Sequence, residues 1–374
     1  MPDRPGGLRI AILGTRGIPA AYGGFETLAE ELSARLAERG HDVTVYSRRL
    51  LVAREVERHR GVRVVFLPTV RRKYFETVVH TFVSGLHAAG QGYDAVLVCN
   101  AVNALTCRLP RLLGSSTRVV LNVDGLERNR RKWNAMGKLV YFLSERLSCV
   151  MPDAVVTDAR AIEEYYRTSF GLVSTFIPYG SDLPTPEGSV TLDRLGLRRG
   201  GYVLYVSRFE PENNPDAVLR GYRGFSRDLP LVLVGSAPYA ERFISGLRAE
   251  AAEDRRVLLP GAIYGEGYRE LLANAAAYVH ATEVGGTHPA LVEAMGFGRP
   301  IVAHGTAENH EVLGEEAVWF DAARPETLTS ALEELFRSDE CRLALGERAG
   351  RRAAEHYRWD TVTDAYERLL RASW

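Results

Sequence analysis

The sequence predicts an α/β protein of two Rossmann-like, doubly wound parallel-sheet domains. Three observations carry that reading. Short apolar runs alternate with amphipathic helical stretches along all 374 residues, and strands that alternate with helices imply parallel pairing. The alternation pauses once, at a Pro- and Gly-rich stretch near the middle, and then restarts. The composition is ordinary for a globular chain, with 46 % hydrophobic and 25 % charged residues, and the length suits two domains.

In the first series Leu8 to Leu13 reads as a buried strand. A helix follows with Leu28, Leu32 and Leu36 on one stripe and Gly40 as its stop. The strands continue at Asp42 to Tyr46, Val62 to Leu67, Asp94 to Cys99, Val119 to Val123, Ala154 to Thr157 and Thr175 to Ile177. Residues 178–200, with Pro184, Pro186, Gly188 and Gly196, read as a linker. The second series has strands at Tyr202 to Val206, Leu231 to Val234, Val257 to Leu259, Ala277 to His280, Ile301 to Ala303 and Val318 to Phe320. The chain closes in helical sequence. The expected division is 1–183, 184–356, and a helix 357–374 that crosses back to the first domain. Ligands of such sheets sit beyond the carboxyl ends of the strands, so two domains facing each other predict one central cleft.

Lys plus Arg and Asp plus Glu are equal at 47 each, which argues against a nucleic-acid binder. Cys99, Cys107, Cys149 and Cys341 lack the spacing of a disulfide framework or zinc site and fit a reducing compartment. The sequence shows neither an apolar run of about 20 residues nor a signal-peptide core. A cytoplasmic protein is expected, with peripheral contact at the inner membrane face left open.

Four segments carry the chemistry. Gly14 to Glu26 leaves the first strand and opens the first helix. Its Gly23 and Gly24, with Arg16, suit contact with a phosphate or an acceptor, a reading that the strand–loop–helix placement favours over a ligand-free glycine turn. The loop is not G-x-G-x-x-G, which lowers a nicotinamide reading. Glu283 to Gly296 follows the strand ending at His280. Pro289 suits a helix start, with Thr287 or His288 as cap. Free N–H groups there would meet a diphosphate, and Glu293, one turn in, suits the diol of a ribose. Val206 to Asp216 places Arg208 at a strand end, where it would clamp a diphosphate and stabilise a leaving group. A surface ion pair to Glu210 or Glu212 is the bland alternative. Asn122 to Glu127 places Asp124 at another strand end. Arg128, Arg130, Arg131 and Lys132 after it, with Arg71, Arg72 and Lys73, form either a basic face or a solvated charged run.

Together these four segments resemble the family-4 retaining glycosyltransferases of the GT-B fold. They are most similar to a bacterial rhamnosyltransferase-like subgroup whose members begin with G-T-R-G-I-P-x-x-Y-G-G-F-E, here Gly14 to Glu26. The resemblance implies transfer of a sugar from a nucleoside diphosphate, with retention and without a metal or other cofactor. The absence of any Asp-x-Asp pair agrees. It implies that Glu293 binds the ribose as the second glutamate of E-x7-E, that Arg208 is the diphosphate arginine, and that Gly23 and Gly24 lie near phosphate and acceptor. Gly285, Gly286 and Thr287 then line the donor site.

The sequence departs from the family pattern at three places. Gly285 stands where the first glutamate of E-x7-E belongs. Asn213 stands for the lysine that accompanies the arginine. Asp124 stands where many members have a histidine beside the transferred sugar. The implied donor is dTDP-rhamnose or a UDP-sugar. The implied acceptor is a saccharide, lipid-linked, in cell-surface polysaccharide synthesis. A sugar-nucleotide 2-epimerase or a non-catalytic sugar-nucleotide sensor would use the same fold.

Overall fold

The computed structural model describes residues 6–21, 23–49, 56–72, 75–130, 133–237 and 240–372, Asn129 by its backbone alone. Tyr22 of the first glycine loop, and Lys73, Arg131 and Lys132 of the basic runs, lie outside the described residues. The chain forms two compact units. The first comprises Met1–Asn129, Trp133–Pro178 and Trp359–Trp374, the second Arg130–Lys132 and Tyr179–Arg358.

The first unit is an eight-stranded sheet. In chain order the strands are β1 Arg9–Leu13, β2 Asp42–Arg48, β3 Arg58–His59, β4 Val62–Leu67, β5 Ala95–Cys99, β6 Arg118–Asn122, β7 Ala154–Thr157 and β8 Thr175–Phe176. Their spatial order is β3-β4-β2-β1-β5-β6-β7-β8. All pairs are parallel except β3 with β4. Ile10, Ala11, Ile12 and Leu13 are buried, because a central parallel strand is covered on both faces. The second unit has β9 Val203–Val206, β10 Leu231–Val234, β11 Val257–Gly261, β12 Ala277–His280, β13 Ile301–His304 and β14 Val318–Phe320. They lie in the order β11-β10-β9-β12-β13-β14, all parallel. Each expected strand is present.

The additions are small and have physical reasons. β3 is two residues long, charged, and at the sheet edge, so it carries no apolar pattern. The stretch read as a linker contains the helix Val190–Leu195, closed by Gly196 at φ 67°. That helix is too short for a periodic signal. Its start is held by Glu270, whose carboxylate accepts from Thr191 N at 3.0 Å and Leu192 N at 2.8 Å.

Besides the short excursion at Arg130–Lys132, the chain changes unit at Pro178/Tyr179 and at Arg358/Trp359. Tyr179, Ser181 and Tyr357 are buried and group with the second unit. The Tyr357 carbonyl accepts from Ser181 N at 2.6 Å and Ser181 Oγ at 2.8 Å.

The helix Trp359–Arg371 belongs to the first unit. Trp359, Val362, Tyr366 and Leu370, at helical spacing, are buried. Asn122 at the end of β6 donates to Tyr366 Oη at 2.7 Å, and Arg118 donates to the Leu369 carbonyl at 2.8 Å. Arg39 approaches Glu367 at 3.0 Å and His41 approaches it at 3.1 Å. Burial pushes the Glu367 carboxyl up, but hydrogen bonds from Arg39, Arg371 and His41 outweigh it and hold it at about 2. The folded value lies below the unfolded one of roughly 4.3. The stabilisation is therefore complete above that pH and is lost as pH falls toward 2. Thermal melts across this window should show a steeper loss for the wild-type chain than for Glu367→Gln.

Candidate active site

In a doubly wound sheet the ligand crevice opens where strand order reverses. In the second unit that point lies between β9 and β12, which pair side by side. The loop after β9 carries Arg208 and Asn213, and the loop after β12 carries Gly285, Gly286 and Thr287, followed by Glu293. The two loops are laced together. Glu283 N donates to the Glu212 carbonyl at 2.9 Å. Asn214 Nδ2 donates to the Ala281 carbonyl at 2.8 Å and to Glu283 Oε1 at 3.1 Å. Asn214 has φ 54°, a left-handed conformation that asparagine tolerates better than most residues.

Arg208 is half-buried. Its carbonyl accepts from Ser207 Oγ at 2.9 Å and from Asn213 Nδ2 at 2.6 Å. Asn213, itself buried, thus holds the shape of the arginine loop, and its own carbonyl takes the Tyr205 hydroxyl at 2.6 Å. Glu210 and Glu212, the nearest acidic side chains in sequence, lie 3.8 and 3.5 Å from Arg130. Arg130 groups with the second unit and is buried with both of them. Arg130, being buried, is therefore not part of an exposed basic face. Arg128 lies in the first unit and donates to Tyr165 Oη at 2.6 Å.

The helix Pro289–Gly296 has Pro at its start, and its N-cap residue His288 makes no side-chain capping bond. Gly286 and Thr287 are buried just before it. Gly285 has φ 155°, and a Cβ there would lie 2.3 Å from His288 Cε1. The position of the family's missing glutamate is thus one where the His288 ring takes the side-chain space. Burial, then the charges of His280, Arg130 and Arg208, drive the His288 ring well below its ordinary pKa, so it is a neutral imidazole. His280, whose ring centroid is 4.9 Å away, is likewise pushed down to about 3 by burial, then by His304. Glu293 is buried, and its Oε2 accepts from the Tyr268 hydroxyl. Burial, then the Glu293 charge, drives the Tyr268 phenol well above its usual range, so Tyr268 remains the donor.

In the first unit the reversal lies between β1 and β5. The glycines that open the loop after β1 serve close packing. A Cβ at Gly14 (φ 93°) would sit 2.4 Å from the Cys99 carbonyl, and one at Gly17 (φ 114°) 2.0 Å from Ser47 Oγ. Gly23 is the N-cap of the helix Gly24–Glu38 and offers no side-chain cap. Glu26, in its first turn, is buried and accepts from Arg16 N at 2.7 Å. The Arg16 guanidinium lies 3.7 Å from Glu76, which also pairs with buried Arg48. Asp124 follows β6, half-buried, at φ 58°. Its N–H donates to Asn122 Oδ1 at 2.9 Å, so the same asparagine that binds Tyr366 sets the Asp124 backbone.

The sequence puts Arg208, Gly285 to Thr287 and Glu293 at one end of one sheet; in the structure Arg208 and Gly285 to Thr287 lie on the loops after β9 and β12, and Glu293 lies on the helix that follows. Sequence reasoning missed Tyr268, Asn214 and Arg130 as partners, and His288 beyond a capping role. Tyr268 sits on a helix with no motif, and only the fold brings it to Glu293. Among the described residues no cluster of three His, Cys, Asp or Glu side chains suits a metal, and no helix is long and apolar enough to cross a membrane.

The comparisons with known proteins follow the same division. A glycosyl transferase 4-like domain model matches residues 23–180, and a glycosyl transferases group 1 model matches residues 200–338. Among solved structures, the fold is similar to a sucrose-phosphate synthase from Thermosynechococcus elongatus, with TM-score 0.83 and 19 % identity over 97 % of this chain and 98 % of that one. It is also similar to Anabaena HepE in complex with UDP-glucose, with TM-score 0.79 and 15 % identity over 97 % and 99 %. The O-antigen chain mannosyltransferase B of Escherichia coli is 22 % identical over 176 residues. That match spans 46 % of this chain and 46 % of the relative's length. With glycosyltransferase models on both units and a GT-B fold throughout, the chain belongs to the family-4 glycosyltransferases.

Proposed function

We propose that the chain moves a sugar from a nucleoside-diphosphate donor held by the second unit to a saccharide acceptor, with retention of configuration and without a metal. The observation that carries this reading is the lacing of the two loops beyond β9 and β12. It brings Arg208, the start of the helix Pro289–Gly296 and Glu293 to the carboxyl end of the central strands of one sheet. Arg208 and the helix N-terminus then take the diphosphate, and Glu293, oriented by Tyr268, takes the ribose diol. Asp124 is the first unit's candidate for contact with the reacting sugar. Gly23, Gly24 and Arg16 belong to the acceptor-side loop, where the fixed backbone positions the groups.

No covalent nucleophile is needed. The bond from the anomeric carbon to the phosphate oxygen breaks, and the acceptor oxygen bonds on the same face. The acceptor hydroxyl proton passes to the departing phosphate, and a nucleoside diphosphate leaves. Catalysis is then positioning and charge stabilisation. The solved structures of Anabaena HepE hold UDP, or UDP-glucose, which supports a nucleotide-sugar donor here. The subgroup resemblance favours dTDP-rhamnose, a lipid-linked saccharide acceptor at the inner membrane face, and a role in cell-surface polysaccharide synthesis.

The test is a calorimetric binding and donor-hydrolysis screen across UDP-, GDP- and dTDP-sugars. One donor should bind and be hydrolysed slowly, and with an acceptor should give a product whose anomeric proton coupling matches that of the donor. A chain that binds no sugar nucleotide overturns the reading. Interconversion of donors with no acceptor present assigns an epimerase instead.

A further inference from the structure

A cavity of about 490 Å³ opens in the first unit between the helices Ala135–Ser148 and Arg160–Phe170. Arg128, Phe142, Arg146, Tyr165, Ser169 and Phe170 line it. None of these residues belongs to the candidate donor site of the second unit. The volume falls within the range of small-molecule pockets, roughly 300–1,000 Å³. The lining holds two guanidinium groups and no carboxylate, so it is cationic.

Arg128 is built into the wall. Its Nη2 donates to the Tyr165 hydroxyl at 2.6 Å, and that hydroxyl donates to Glu145 Oε2 at 2.8 Å. Its Nε lies 3.4 Å from the same carboxylate oxygen. The guanidinium carbon stands 5.1 Å from the ring centre of Tyr165 and 5.7 Å from that of Phe142. Burial, then the bond to Glu145, pushes the Tyr165 phenol up to about 12, so it keeps the proton it donates. Glu145 is buried and does not line the cavity. The Arg128 fork is thus fixed before any ligand arrives, and a group held in advance loses little entropy on binding. Among the described residues Arg128 Nη1 makes no hydrogen bond, and the exposed Arg146 forms no ion pair.

Two such cations suit an anion, and the rings decide what carries it. Phe142 and Phe170 stand 6.4 Å apart, tilted by 48°, and Tyr165 meets Phe170 edge-on at 5.8 Å. A nucleobase between two rings needs two stacking contacts of about 3.5–4.0 Å each, so these rings are too close to sandwich one. The C–H face of a sugar needs only one aromatic wall, and Ser169 adds a hydroxyl for the polar edge. We infer that this cavity binds an acidic sugar, a saccharide unit bearing a carboxylate or a phosphate ester, and that the acceptor chain contains one. The inference names the class of the acceptor and rests on the proposed function for its purpose. Arg128 follows Asp124 by four residues, so their backbones are at most about 14 Å apart, and a short saccharide chain spans both.

The full chain is titrated by calorimetry with glucuronate, glucose 6-phosphate, glucose and inorganic phosphate. At least one acidic sugar should bind, about tenfold or more tighter than glucose. The tighter of the two names the anion, a carboxylate for glucuronate and a phosphate ester for glucose 6-phosphate. Arg146→Ser should weaken that binding about tenfold with an unchanged melting curve, and Arg146→Lys should recover part of it. Failure of both acidic sugars to bind at roughly ten times a millimolar Kd overturns the inference. So does binding no tighter than that of glucose or inorganic phosphate, or binding untouched by Arg146→Ser. Displacement of the sugar by UDP, GDP or dTDP places it in the donor site and overturns the inference too. Binding of these nucleotides is measured on the same samples. A chain that binds nucleotide but no acidic sugar loses this inference and keeps the proposed function; one that binds acidic sugar but no nucleotide does the reverse.

Discussion

Replacing Arg208 with alanine should lower turnover roughly 10²- to 10³-fold, the usual cost of removing one group that stabilises developing charge. The melting temperature should hardly move. The loop that carries Arg208 is held through its backbone, by Ser207 Oγ and Asn213 Nδ2 on the Arg208 carbonyl, and alanine leaves those bonds in place. The loss should appear in kcat and kcat/KM together, since the charge on the departing diphosphate grows in the transition state. Arg208→Lys should recover only part of it, because an ammonium is a point charge without the fork of a guanidinium. Single-turnover rates on a donor of the correct base provide the measurement. Near-normal turnover of the alanine variant would remove Arg208 from the clamp.

The second large effect is expected at Glu293. A carboxylate that accepts hydrogen bonds from a ribose contributes roughly 1.5–3 kcal/mol, so donor affinity should fall about 10- to 100-fold in Glu293→Gln. The choice of glutamine matters. Glu293 is buried and takes the Tyr268 hydroxyl, so alanine would strand a buried donor and cost roughly 1–3 kcal/mol of stability. That would confuse binding with folding. Glutamine keeps the volume and an oxygen for Tyr268. Calorimetric titration with the nucleoside diphosphate and with the whole donor gives the readout. Equal losses for both ligands assign the contact to the nucleotide; a loss confined to the whole donor moves Glu293 to the sugar.

The central parallel strands were legible because they are covered on both faces and read as unbroken apolar runs, as at Leu231 to Val234. Arg58–His59 and Val190–Leu195 were not, because neither is long enough to show a period. The site divides in the same way. Residues that follow a strand directly, such as Arg208, Asp124 and Gly285, are found by counting from the strand end. Their supports are not. Tyr268 reaches Glu293 from another helix, and Tyr366 reaches Asn122 across 244 residues of chain. Gly285 shows the difference most clearly. In the sequence it is a missing carboxylate, whereas in the structure it is the space the His288 ring occupies.

The return of the helix Trp359–Arg371 to the first unit sets an order of assembly. During synthesis, residues 179–358 emerge before the helix that fills the groove beside β6, so the second unit has its whole core while the first still lacks Trp359 and Tyr366. Until then the first unit exposes the apolar side chains this helix covers, a state prone to aggregation. A fragment ending at Pro178 would stay in that condition permanently. Separate production of the first unit therefore calls for a graft that supplies residues 359–371, joined through a short linker in place of the second unit.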